Sequence, residues 1–139
     1  MKQFVLDASI TLGWILDKPV PAQALRTKHA LSQGARAVVP ALWNLEIANS
    51  LAVAERRGIV NASDVMLALQ LLEGLYSQSL DVEPEVVPMR RVLATARLHQ
   101  LPAYDSVYLD LAHRLKLPLA TLDNALRAAA VKTGVELLR

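Results

Sequence analysis

The sequence predicts an α/β fold in which a mostly parallel sheet of about five strands is covered by helices on both faces. Three observations carry this reading. Short apolar runs recur along the chain and alternate with longer stretches whose apolar residues have helical spacing. Prolines and glycines fall at the joins between them. No internal repeat, low-complexity tract or Gly/Ser linker divides the 139 residues, so residues 1–139 read as one domain, long enough to bury a core without staples.

Taken in order, Lys2–Leu6 reads as the first strand and Ile10–Leu16 as a short helix, ended by Pro19 and Pro21. Ala22–Gln33 is helical up to Gly34, and Ala37–Val39 is a second strand closed by Pro40. Ala41–Arg57 is a long helix with Gly58 as its stop; Asn61 or Ser63 caps the next, which runs to about Ser77. Leu80–Val82 is a short strand, and Pro84 or Pro88 opens a helix reaching about His99. Ala103–Leu115 is helical, Pro118 breaks it, and Leu119–Thr121 is a strand. Asn124–Lys132 is the last helix, and Val135–Leu138 reads as the last strand beyond Gly134.

Composition narrows the classes of function. The chain has no cysteine, which removes disulfides, thiolate metal sites and cysteine nucleophiles and fits a reducing cytoplasm. No apolar run approaches the ~20 residues of a membrane span, and the N-terminus reaches Asp7 too early for a secretory signal. No Gly-rich phosphate loop is present, and His29, His99 and His113 share no ligand spacing. The net charge is only +2, but it hides a possible asymmetry. If four of the 13 acids are gathered in one pocket, the rest of the surface carries 15 − 9 = +6, which suits a metal-dependent enzyme acting on nucleic acid.

Four acids stand at junctions that can meet. In parallel α/β sheets, ligands bind beyond the carboxyl ends of the strands. Asp7 ends the first strand in "FVLDASITLGW", and Asp123 follows another in "LATLDNAL". Asp105 starts a helix in "LPAYDSVYLDLAH", and Glu46 lies near the start of the long helix in "ALWNLEIANSL". Asp7, Asp105 and Asp123 also fit as helix caps or first-turn acids, Ser9 as a cap, and Glu46 as a surface position. Asp110 lies about 140° around its helix from Asp105 and pairs better with Arg114. Asp17, Asp64 and Glu73 read as structural. Four carboxylates without a basic partner repel one another, and an all-oxygen set suits Mg²⁺ or Mn²⁺.

These segments resemble the PIN-domain family, and within it the VapC-like toxins of prokaryotic toxin–antitoxin pairs. "VLDASITLGWILDK" resembles the family's opening strand with its Asp-x-Ser/Thr, and "VPALWNLEIANSL" its second acidic segment. "LPAYDSVYLDLAHRLKLPLATLDNAL" is similar to the third and fourth, and "AAAVKTGVEL" to its ending. The resemblance implies a three-layer α/β/α fold and a Mg²⁺- or Mn²⁺-dependent endoribonuclease. Asp7, Glu46, Asp105 and Asp123 would form the metal site, with Ser9 as an accessory. It also implies a homodimer and a small antitoxin protein that blocks the site and contributes operator-DNA binding. Arg90, Arg91 and Arg97 would contact RNA or form a solvated basic face, and the Leu-rich "VMLALQLLEGLY" would offer a partner surface or ordinary core.

Three other readings compete. A PIN nuclease of housekeeping RNA processing would carry the same acids, and a PIN-like module could grip RNA or a partner without cutting. A dehalogenase-type enzyme also opens on a strand ending in aspartate, but neither Lys116 nor Lys132 stands clearly after a strand as its later lysine should.

Overall fold

Four short strands line up in parallel in the computed structural model, which describes residues 2–139: β1 (Gln3–Leu6), β2 (Arg36–Pro40), β3 (Leu80–Glu83) and β4 (Leu119–Ala120). The sheet order is β3-β2-β1-β4. β1 is central because Phe4, Val5 and Leu6 are wholly buried, as a strand covered on both faces demands. Val5 pairs with Val38 on one side and Leu119 on the other. All four strands point the same way, so Leu6, Pro40, Glu83 and Ala120 end at one edge. The chain steps outward from β1 to β2 and β3, then crosses back to place β4 on the other flank of β1. That reversal makes a switch point between β1 and β4, where such sheets open a crevice.

Seven helices cover the sheet among the described residues: α1 (Ala8–Leu16), α2 (Ala22–Ser32), α3 (Leu42–Arg56), α4 (Ala62–Gln78), α5 (Met89–His99), α6 (Ala103–Leu115) and α7 (Asn124–Thr133). α6 packs on β1, β2 and β4 and touches α5 and α7; α1 packs on α2 and α3, and α4 reaches β3. The result is a three-layer α/β/α fold. Among the described residues, no helix is long and apolar enough to cross a membrane.

The capping chemistry explains several boundaries. Asn61 and Asp64 form a reciprocal capping box at the start of α4, with bonds of 2.8 and 2.9 Å. Gly134, at φ +78°, ends α7 in the left-handed conformation that glycine adopts without strain. α1 begins at Ala8, two residues before the expected Ile10, directly after Asp7.

The expected last strand, Val135–Leu138, is reduced to a single parallel bridge between Leu119 and Leu137. Its bonds are Leu119 N–H to the Glu136 carbonyl (2.8 Å) and Leu138 N–H to the Leu119 carbonyl (2.9 Å). The reason lies in β4. It is two residues long, and so short a template supports only one rung.

Candidate metal centre at the carboxyl edge of the sheet

Asp7 continues the β1 ladder, its N–H donating to the Ala120 carbonyl at 3.0 Å, and then opens into α1. It occupies the N-cap position, yet its side chain makes no capping bond. Instead Oδ2 accepts two hydroxyls: Ser9 Oγ at 2.6 Å and Thr121 Oγ1 at 2.7 Å. Ser9 Oγ in turn accepts the Leu122 N–H (2.9 Å), and Thr121 Oγ1 accepts the Asp123 N–H (3.1 Å). The two hydroxyls therefore lock the β1 end to the turn between β4 and α7. Both bonds fall on one carboxylate oxygen, and among the described residues no side chain bonds to Oδ1.

Asp123 keeps the capping duty that its position suggests: its Oδ2 accepts the Leu126 N–H at 2.8 Å, fixing the start of α7. Capping uses one oxygen of the carboxylate, so it coexists with a place at the site. Asp105 lies in the first turn of α6, half-buried, and makes no capping bond; the N-cap position there is Pro102.

Glu46 is half-buried rather than a surface residue. The α3 stripe facing the core is Trp43, Ile47, Leu51 and Ala54. Glu46 stands about 60° to one side of that stripe, while Leu45, on the far side, is 72% exposed. Its Oε1 accepts the Tyr108 hydroxyl at 2.7 Å. Tyr108 is wholly buried and stands three residues after Asp105 in α6, so one helix face presents an acid and the anchor of a second acid.

Burial, and then repulsion between neighbouring acids, raises three of these carboxyls above their ordinary range. Asp7, only 4% exposed, has its carboxyl raised above the ordinary range by burial, which outweighs its two hydroxyl bonds, with Asp123 adding repulsion. Burial also pushes Glu46 up to about 7, against the Tyr108 bond, with Asp7 and Asp105 contributing. Asp105 rises to about 6 through burial and then the charges of Asp7 and Asp123. The Tyr108 hydroxyl is raised by burial and by Glu46, so it stays protonated and donates.

Among the described residues, no lysine or arginine pairs with any of these four acids; the ion pairs are Arg36–Asp81, Arg91–Asp110, Arg114–Glu85 and Arg114–Asp110. Among the same residues, no three acidic or histidine side chains stand close enough together, as they lie, to hold a metal ion. The donor set nevertheless suits a hard divalent cation that retains several waters, since mutually repelling oxygens without a basic partner are what such an ion neutralises.

Two contributors escaped the sequence reading. Thr121 carries a signal in hindsight, a hydroxyl residue at a strand end two residues before an acid, and Tyr108 another, its i+3 spacing from Asp105. One expectation also fails in part. Arg91 is not free for a polyanion, because its Nε is 3.0 Å from Asp110. That contact is closer than the 3.8 Å between Arg114 and Asp110, so Asp110 has Arg91 as its main partner. Arg90 and Arg97 are exposed on α5.

No curated protein sequence matches the chain. Among solved structures, the chain is similar to PAE2754 from Pyrobaculum aerophilum, with a TM-score of 0.69 and 22% identity over 92% of this chain and 84% of that one. Identity that low bears on the fold alone. The family profile described as the PIN domain matches residues 4–132, from β1 into the last turn of α7, and so spans all four acids. The chain belongs to the PIN-domain family.

Proposed function

We propose that this protein is a divalent-metal-dependent endoribonuclease that hydrolyses RNA phosphodiester bonds. The PIN domain is a nuclease-type fold whose members generally use divalent metals, and that is the starting point. What supports the finer reading is that burial and mutual repulsion raise Asp7, Glu46 and Asp105, with Asp123 among the repelling charges, while none of the four has a basic partner among the described residues.

In this reading Asp7, Glu46 and Asp105 hold a Mg²⁺ or Mn²⁺ ion, and Asp123 completes a second position or orients water. A bound ion of this kind supplies a water of lowered pKa and neutralises charge at the phosphate. The chain's own residues supply positioning. Ser9 and Thr121 hold Asp7 through Oδ2, so neither hydroxyl occupies Oδ1. Tyr108 fixes Glu46 through Oε1 and leaves Oε2. The N-cap bond fixes Asp123 in the same manner.

The reading extends to the biological role, that of the toxin in a toxin–antitoxin pair, working as a homodimer and restrained by a small antitoxin. Its support is the motif pattern together with the apolar residues exposed on α4, Met66, Leu67, Leu69 and Leu71, which offer a partner surface.

The test is cleavage of labelled total RNA by wild type and by Asp7→Asn, with Mg²⁺, with Mn²⁺ and with EDTA. Asn retains size and hydrogen-bond acceptance while removing the charge. Cleavage by wild type that is lost with EDTA and in the folded variant is expected. Cleavage persisting in the folded variant would remove Asp7 from the mechanism. Induction in cells should arrest growth for wild type only, and co-expressing the antitoxin should relieve it.

A further inference from the structure

We propose that a basic groove on the open flank of the sheet holds the RNA backbone beside the cleavage site, an inference that rests on the nuclease reading above. The groove, about 1020 Å³, runs along the β4 side of the sheet between α2, α7 and the C-terminal segment. Four cationic side chains line it: Lys2, Arg26 from α2, Arg127 from α7 and Arg139; Glu136 is the one acid among them. Their side-chain sum is 4 − 1 = +3, more than the +2 of the whole chain. Positive charge is therefore concentrated here, while the carboxylates occupy the neighbouring edge.

The C-terminal segment after Gly134, held to the sheet by a single rung, forms one wall of the groove. A full strand after Gly134 would extend the sheet, whereas a single bridge at Leu137 leaves the segment to Arg139 along the flank. Register places its upper end near the acids. Leu6 pairs with Ala120, so Asp7 and Thr121 share a level. Leu119 is level with Leu137 in a parallel bridge, and Arg139 follows two residues further toward the carboxyl edge. Arg127 joins the two regions directly: it lines the groove, and its Nη1 donates to the Thr121 carbonyl at 3.1 Å.

A row of guanidinium and ammonium groups without aromatic stacking partners reads phosphates rather than bases. A phosphodiester strand is the ligand that fits, carrying its scissile phosphate to the acids and its flanking phosphates along the groove.

Binding of a labelled oligouridine, followed by fluorescence anisotropy in EDTA over a range of salt, tests this without turnover. The variants are Arg26→Glu/Arg139→Glu and, as a second pair, Lys2→Glu/Arg139→Glu, each confirmed as folded by its unfolding temperature. The control is Arg90→Glu/Arg97→Glu on α5. Each groove pair should lower affinity at least 10-fold and flatten the slope of log K against log salt by about 1.4, two single-strand phosphate contacts at ~0.7 each. Affinity and slope unchanged in both groove pairs, or an equal loss in the α5 control, would overturn the proposal. Tighter binding of oligodeoxyuridine than of oligouridine would overturn the assignment to RNA, and tighter binding of poly-glutamate would reassign the groove to an acidic protein segment. A protein that binds through the groove in EDTA and never cleaves RNA would refute the nuclease reading and leave the groove standing.

Discussion

Replacing Glu46 by glutamine should make the metal-free protein more stable at neutral pH, although it removes a residue proposed to hold the ion. Glu46 has its carboxyl raised to about 7 by burial and by Asp7 and Asp105. A folded-state pKa above the unfolded value means that the folded protein holds the proton more tightly. The associated stability is fully present below about 4.5 and is lost as pH rises through about 7. At about 1.36 kcal/mol per pKa unit the full difference corresponds to roughly 3 kcal/mol, and because Glu46 is only half-buried, solvent screening reduces it to about 1–2 kcal/mol. Glutamine is neutral at every pH and its carbonyl still accepts the Tyr108 hydroxyl. The expected result in EDTA is a Glu46→Gln protein about 1–2 kcal/mol more stable than wild type at pH 8 and nearly equal to it at pH 4.5. Urea unfolding followed by circular dichroism measures both. Saturating Mn²⁺ at pH 8 should reverse the order, since the ion binds the folded wild type and stabilises it by mass action. A wild-type stability that is flat from pH 4.5 to 8, with the variant no more stable at pH 8, would refute the account of a strained carboxylate cluster.

Two further substitutions probe the residues that position the acids. Tyr108→Phe removes the hydroxyl held 2.7 Å from Glu46 without changing the ring; Mn²⁺ affinity by isothermal titration calorimetry should fall about 10-fold, the usual cost of losing a partner behind a metal ligand, and an unchanged affinity would separate Tyr108 from ion binding. Thr121→Val keeps the shape but removes the one hydroxyl that meets both Asp7 and the Asp123 N–H. Leaving those buried groups short of a partner should cost about 1–3 kcal/mol in denaturant unfolding, Thr121→Ser should recover most of it, and a valine variant as stable as wild type would show that the hydroxyl holds nothing.

Most of the fold was legible from the sequence because it is written in local physics. The α6 span Ala103–Leu115 was read to the residue, since Pro102 starts it and the chain turns left-handed at Lys116 before Pro118. β1 announced itself through consecutive apolar residues, the mark of a strand buried on both faces. The four acids stand out in the sequence because Asp7 and Asp123 follow strands and Asp105 and Glu46 lie near helix starts.

What only the tertiary structure decided depends on partners distant in sequence. Asp7 looked equally like a cap until Thr121, 114 residues away, proved to hold its side chain. Glu46 had a surface position as its alternative reading until Tyr108, 62 residues away, met it in a half-buried setting. Arg91 looked free until Asp110 on the neighbouring helix claimed it. The last strand looked complete because its own residues favour extension, yet a strand needs a template, and β4 supplies a single rung. Local sequence determines which elements form and where carboxylates fall on them; which of two available partners a polar side chain takes is settled only by what packing brings within hydrogen-bond reach.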